Sequence, residues 1–313
     1  MRYYLVKHMT SLDYASPIWE TVMQVRKQPL SDARQRCLSF EVRVTPAAKV
    51  DGFRDHWGNQ VNYFDLPGRT RQVQVAVESA VGLADDVESW PRGPSARVDW
   101  PSYDTAVQAS GLIDMLVPSH FTAVDAEVQS SFAALGLGRD RPPLETMQRL
   151  SDLVGDHFSY QPDSTAVDST LHTLLRQRSG VCQDFAHFTI AAARHLGMPC
   201  RYVSGYLFHR QGEDRSLHDA THAWVETWFP EVGWLGFDPT NKRRATCDHI
   251  RVAVGRDYAD VPPTRGVYRG GAQEQLQVAV GVYRIPEPPP MLHTVHLPAL
   301  HSGRLDGSGA GAQ

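Results

Sequence analysis

The spacing of apolar residues changes period twice along this chain. Near the start, Leu38, Phe40, Val42 and Val44 alternate with polar or smaller residues, and Val73, Val75 and Val77 do the same. A period of two belongs to strands with one buried face. Trp57-Gly58-Asn59 and Leu66-Pro67-Gly68 supply turn chemistry, so residues 1–83 are expected to form a β-rich N-terminal domain. Residues 84–121 open with Asp-Asp, Pro-Arg-Gly-Pro and serine, lack a clear period, and read as a linker or crossing segment.

From residue 122 the period becomes helical. Val124, Val128, Phe132 and Leu135 share a face that ends at Gly136, and a second helix follows Pro142-Pro143 with Leu144, Met147, Leu150, Val154 and Phe158 on one side. A short helix is expected over 171–175, stopping at Ser179-Gly180. The next has Phe185, Phe188, Ala192 and Leu196 as its buried stripe and Gly197 as its C′ residue. Beyond Pro199 the pattern returns to strands. These are 200–207, a strand bearing His222, a turn at Glu231-Val232-Gly233, a return arm from Trp234 to Asp238, and an alternating run Leu276, Val278, Val280, Val282. Residues 122–285 thus read as one core with a C-terminal strand. The Pro-, Gly- and Ser-rich 286–313 read as a flexible tail. Strands, then helices, then strands give an α+β class.

Composition narrows the function. The 313 residues are 42% hydrophobic, enough for a sizeable core, with a net charge of -4 and no Lys/Arg-rich block. No nucleic-acid or lipid-headgroup surface is expected. No apolar run approaches the ~20 residues that cross a bilayer. Met1-Arg2-Tyr3-Tyr4-Leu5-Val6-Lys7-His8 lacks the pattern of a signal peptide, so the expected location is the cytoplasm. Cys37, Cys182, Cys200 and Cys247 are too few for a disulfide scaffold and are expected to be free thiols. No Cys-x-x-Cys pair occurs, Cys247-Asp248-His249 supplies too few zinc ligands, and no metal or other cofactor is expected.

One cysteine stands in a suggestive place. Cys182 opens a helix, His222 follows on a later strand and Asp238 ends the next. A thiol, an imidazole and a carboxylate in that order are the parts of an activated sulfur nucleophile. A free thiol with a pKa of about 8.5 is only about 3% ionised at pH 7. A helix start contributes about 0.3–1 kcal/mol toward the thiolate, too little alone, so a protonated imidazole in contact must supply the rest. The strand pattern puts His222 on one face with Trp224, Glu226 and Trp228, Asp238 can fix the ring's tautomer, and Gly180 leaves room for a substrate to approach. His187 and His195 read as packing or surface residues.

The chemical rival is a metal site. His218, His222 and Glu226 are spaced by four, which on a strand spreads them over about 26 Å at about 3.3 Å per residue, too far for one ion. On a helix the spacing would suit zinc, but Thr221, Trp224, Val225, Thr227, Trp228 and Phe229 favour a strand. No phosphate loop, dinucleotide fingerprint or Gly-x-Ser-x-Gly elbow is present.

Five segments carry a resemblance. They are Gly180-Val181-Cys182-Gln183-Asp184-Phe185-Ala186-His187, the run from Gly197 to Tyr206, His222-Ala223-Trp224-Val225-Glu226, the run from Gly233 to Asn241, and the run from His249 to Tyr258. Together they resemble the bacterial transglutaminase-like family, within the papain-like superfamily of thiol enzymes. Residues 1–83 resemble the β-rich region that accompanies this core. The resemblance implies a helix bearing Cys182 packed on an antiparallel sheet bearing His222 and Asp238, with Cys182 as nucleophile, His222 as base and Asp238 as orienting carboxylate. It implies attack on a peptide or protein amide through a thioester, with hydrolysis favoured over transfer to an amine. There is no Asp-x-Asp-x-Asp-Gly calcium loop. The Cys182 backbone N–H is the expected oxyanion donor, and Gln183, Tyr160 and Trp224 are further oxyanion or substrate candidates. The alternative is a catalytically silent peptide-binding or assembly module on the same fold. The sequence does not specify an oligomeric state.

Overall fold

The computed structural model describes residues 1–85, 98–162, 164–208, 215–217 and 221–288. The chain begins with β1 (Arg2–Val25), β2 (Gln35–Thr45), β3 (Asp51–Arg54), β4 (Gln60–Leu66) and β5 (Thr70–Leu83). Helices α1 (Trp100–Ala109), α2 (Ala126–Ala134) and α3 (Pro143–His157) lead to β6 (Ser159–Tyr160), α4 (Leu171–Gln177), β7 (Ser179–Gly180) and α5 (Cys182–His195). Then come β8 (Cys200–Leu207), β9 (Arg215–Leu217), β10 (Thr221–Phe229), β11 (Gly233–Asp238), β12 (Arg243–Arg244), β13 (His249–Gly255), β14 (Thr264–Arg269) and β15 (Glu274–Ile285).

β1 is the spine of the first sheet. Its first half lies between β5 and β15 in antiparallel register. The pairing with β5 shifts between Asp13 and Ile18, a stretch that contains Pro17, which cannot donate a ladder bond. Beyond it β1 pairs with β4 and β14 instead, so one long strand serves two neighbourhoods. The second sheet has the order β12-β11-β10-β8-β13. Tyr206, Phe208, Ile250 and Val252 on its outer face pack against Tyr4, Val6, Val81, Leu83, Val280 and Val282 of the first sheet. Its other face receives the helices.

Two boundaries differ from the expected ones. β14 and β15, assigned above to the core at 122–285, belong to the first sheet through β1, so both ends of the described chain close one sheet. The expected linker at 84–121 contains α1, capped by Asp99, whose carboxylate accepts from Ser102 N–H at 2.9 Å. Tyr103 and Val107 of α1 enter the helical core, and the Tyr103 hydroxyl donates to Trp228 O at 2.7 Å. With only two buried positions, α1 gives too faint a period to read. Residues 86–97 of the same segment and 289–313 of the expected tail lie outside the described residues.

α5 is the central element. Every residue from Gln183 to Arg194 is buried, not only the stripe Phe185, Phe188 and Ala192. It lies between β8 and β10 on one side and α3 and α4 on the other, and a helix enclosed all round needs apolar or small residues on every face. Ala191, Ala192 and Ala193 meet that need. Arg194 fixes its C-terminal end. Its guanidinium donates to the carbonyls of Met115, Val117, Cys200 and Arg256 and to the Ser119 and Thr122 hydroxyls. Burial lowers its pKa to about 10, still charged at neutral pH. Arg194→Met is expected to leave several buried acceptors unpaired and to cost about 3 kcal/mol or more, measured by urea unfolding. A loss below about 1 kcal/mol would contradict this role.

Candidate active site

The start of α5 is built by the segments around it. α4 ends at Arg178, which adopts the left-handed conformation at φ +52° and turns the chain into β7. β7 pairs in parallel with β6, placing Tyr160 beside Gly180. Cys182 is the first helical residue. Asp184, one turn in, accepts from Val181 N–H at 2.9 Å and from the Thr165 hydroxyl at 2.6 Å, which satisfies an N–H at the helix start. Burial pushes the Asp184 carboxyl up. Gly180 has a different reason from the expected one. A methyl there would lie 2.8 Å from Asp184 Oδ2 and 2.9 Å from Leu174 Cδ1, so the glycine admits this packing rather than a substrate.

His222 and Asp238 meet because β10 and β11 are paired neighbours, Val225 opposite Phe237. His222 Nε2 lies 2.9 Å from Asp238 Oδ2. The Cys182 thiol is in hydrogen-bond contact with the His222 ring, and with Nε2 held by Asp238 the nitrogen left for sulfur is Nδ1. Asp238 is fully buried and accepts from three further donors. Asn241 N–H reaches Oδ1 at 3.1 Å, and the Asn241 side-chain amide reaches Oδ2 at 2.7 Å. His249 Nε2 lies 3.1 Å from Oδ2. Thr246 N–H donates to His249 Nδ1 at 3.0 Å, so that nitrogen is an acceptor and the proton sits on Nε2, directed at Asp238.

The electrostatics follow from this set. Burial disfavours a charged His222, but the charge and hydrogen bond of Asp238, with a contribution from Cys182, raise its pKa from 6.5 to about 10. Burial likewise disfavours the Asp238 anion, yet His222 and then His249 hold it well below the ordinary carboxylate range. Burial lowers the His249 pKa, keeping it a neutral donor. The result is an imidazolium against the Cys182 sulfur, held by an ionised carboxylate.

The other expected site residues fall in different places. The Gln183 amide donates to Val167 O at 2.8 Å and is turned away from the sulfur, so it is no oxyanion donor in this arrangement. Trp224 is fully buried and stacks on His222 with ring centroids 6.2 Å apart. It is a wall behind the imidazole, out of reach of a substrate. Tyr160 is exposed beside Gly180, at the surface next to the helix start. His187 is a packing residue, stacked on Phe121 at 4.9 Å, and its Nε2 accepts from Tyr258 N–H. Burial lowers its pKa to about 3. Of the spaced metal set, Glu226 is bound to Arg201 at 2.8 Å, and His218 lies outside the described residues. Among the described residues the groups that converge are His222, Asp238 and His249, whose ligand atoms lie within 4.8 Å of one another. Such a set could hold a metal ion, but here the protons on both Nε2 atoms already join it into one hydrogen-bonded unit.

His249 and Asn241 were not singled out from the sequence. Asn241 had a readable signal, since Asp-Pro-Thr-Asn is a turn in which the aspartate accepts from the N–H three residues on. His249 had none, because only the pairing of β13 with β8 brings it to the back of Asp238.

Residues 131–239 match the transglutaminase-like superfamily core, and residues 4–82 match the bacterial transglutaminase-like N-terminal region. An uncharacterized protein of Mycobacterium leprae is 32% identical over 284 residues, covering 90% of this chain and 98% of its own. A Protein-glutamine gamma-glutamyltransferase of Pseudomonas aeruginosa is 31% identical over 169 residues, 49% of this chain and 22% of that protein. A solved Cytophaga hutchinsonii structure, provisionally assigned as a cysteine protease, superposes with a TM-score of 0.67 at 20% identity, covering 91% of this chain and 98% of that one.

Because the folded pKa of His222 is raised, its pairing stabilises the fold fully below pH 6.5 and loses that contribution as pH rises through about 10. Asp238, depressed, contributes above its ordinary range and loses the contribution in acid. Nitrogen-detected NMR should find the His222 ring still protonated at pH 8. In Asp238→Asn the midpoint should fall to 6.5 or below. A wild-type midpoint near 6.5 would be incompatible with this geometry.

Proposed function

We propose that this chain, which belongs to the bacterial transglutaminase-like family, is a thiol enzyme that attacks peptide or side-chain amide carbonyls through Cys182, His222 and Asp238. The observation that carries this reading is the unbroken contact from sulfur to imidazole to buried carboxylate at the start of α5. The His222 cation favours the thiolate, which attacks the carbonyl carbon and gives a tetrahedral oxyanion. As the first helical residue, Cys182 has a backbone N–H without an intrahelical acceptor, and it donates to that oxyanion. Collapse breaks the C–N bond, and the leaving amine takes the proton from His222, leaving a thioester. Neutral His222 then accepts a proton from water as the water attacks, and the acid and thiolate are released. Cys182 is only partly buried, so water can reach the thioester.

The test is trapping. Wild type incubated with an acyl-donor peptide library should carry the acyl mass on the peptide containing Cys182, and Cys182→Ala should carry none. With a primary amine present, the free acid should remain the main product. His222→Ala should lower turnover by about 10³-fold or more. Turnover that persists in Cys182→Ala, or an intact thiol with no adduct under every donor, would overturn the reading.

A further inference from the structure

Taking Cys182, His222 and Asp238 as the reacting groups, we propose that Tyr4, Gln35 and Asn59 are positioning residues for His249 and, through it, for Asp238. All three lie within residues 4–82, the bacterial transglutaminase-like N-terminal region, which thereby gains a part in the chemistry. His249 opens β13, the edge strand of the second sheet, and β10 and β8 lie between β13 and the β11 strand of Asp238. The 3.1 Å contact from His249 Nε2 to Asp238 Oδ2 is therefore not set by pairing of their strands. It depends on where the start of β13 is held.

An edge strand has a row of N–H and C=O groups with no neighbouring strand to pair them. On β13 two buried side-chain amides from the N-terminal region take that neighbour's place. Gln35 Oε1 accepts from Arg251 N–H at 2.8 Å, and its Nε2 donates to Arg251 O at 2.8 Å. Asn59 repeats the pattern three residues on, with Val254 N–H at 2.7 Å from Oδ1 and Val254 O at 2.8 Å from Nδ2. A primary amide carries a donor and an acceptor side by side, as a peptide group does, so only Gln or Asn can make this two-point match. The two clamps flank the point, between Arg251 and Ala253, where the pairing of β13 with β8 slips. There the strand's own ladder is locally disrupted. Each amide is braced in turn, Gln35 Nε2 by Leu30 O at 2.8 Å and Asn59 Nδ2 by Asp55 Oδ2 at 3.1 Å. Asp32 adds an ion pair to Arg251 at 2.6 Å. On the other side of His249, the Tyr4 hydroxyl donates to Asp248 Oδ1 at 2.8 Å, and the Arg2 guanidinium contacts the Cys247 sulfur. The N-terminal region thus grips the chain immediately before and after His249. Freeing that grip deprives the buried Asp238 anion of a well-placed donor, and His249 is one of the groups that hold its carboxyl below the ordinary range.

The experiment is a double-mutant cycle on the full chain, read as the rate of Cys182 alkylation by iodoacetamide from pH 5 to 8. Gln35→Met and Asn59→Leu are each close in size to the native residue. Either should slow alkylation at pH 7 by about fivefold and move its acid limb to higher pH, as His249→Phe does. In a His249→Phe background neither should have a further effect, because the residue they act through is gone. Tyr4→Phe removes a single oxygen and serves if an amide variant does not fold. Alkylation needs no amide substrate, so the outcome is separate from whether a thioester forms. A lowered circular dichroism melt with a wild-type alkylation profile in the single variants would mean a role confined to stability and would overturn the proposal. So would losses that multiply in full with that of His249→Phe.

Discussion

One buried carboxylate organises the chemistry of this protein. Asp238 is the end of β11, and its two oxygens accept from His222 on β10, His249 on β13, and the backbone and side chain of Asn241 in the following turn. An anion in a dry interior costs several kcal/mol unless its lone pairs are filled. Four donors fill them here, and two of the donors are imidazoles whose protonation the anion then controls. Neutral His249 is oriented by Thr246 and serves to hold the carboxylate, while His222, with the sulfur on its other side, takes the positive charge. The same anion therefore sets two histidines to opposite charge states.

The fold makes that arrangement rigid. The second sheet is covered on one face by the first sheet and on the other by α5, so the strands bearing His222, Asp238 and His249 have little freedom to separate. α5 is enclosed from Gln183 to Arg194 and is anchored at its far end by the Arg194 guanidinium. This fixes the height at which Cys182 meets the imidazole. Magnitudes assign the roles. A helix start supplies only about 0.3–1 kcal/mol to a thiolate, so the charged ring in contact with the sulfur is the larger influence.

Much of this was legible in the sequence because the signals were local. The helix start at Cys182, the strand of His222 and the hairpin to Asp238 each have their own period and turn residues, and the α+β class follows from their order. Signals that depend on distant pairing were not legible. β15 alternates plainly, yet nothing in its residues says that it pairs with β1, more than two hundred positions away, rather than with the core. His249 reads as an ordinary strand residue until β13 joins β8. Trp224 and Gln183 were reasonable by proximity to the site, but burial and an amide turned to Val167 give them structural work instead. Gly180 illustrates the same point, since the neighbours that exclude a side chain there are an aspartate and a leucine brought in by two helices.

The central claim, that the Asp238-held His222 cation activates the Cys182 sulfur, is tested most directly by the rate of Cys182 alkylation with iodoacetamide against pH, in wild type and in Asp238→Asn. The predicted wild-type rate is nearly flat from pH 7 to 9, because His222 stays charged up to about 10. In Asp238→Asn the rate should climb with pH as a free thiol's does, about tenfold per unit below a pKa of about 8.5. Two superimposable profiles, both rising like a free thiol, would contradict it.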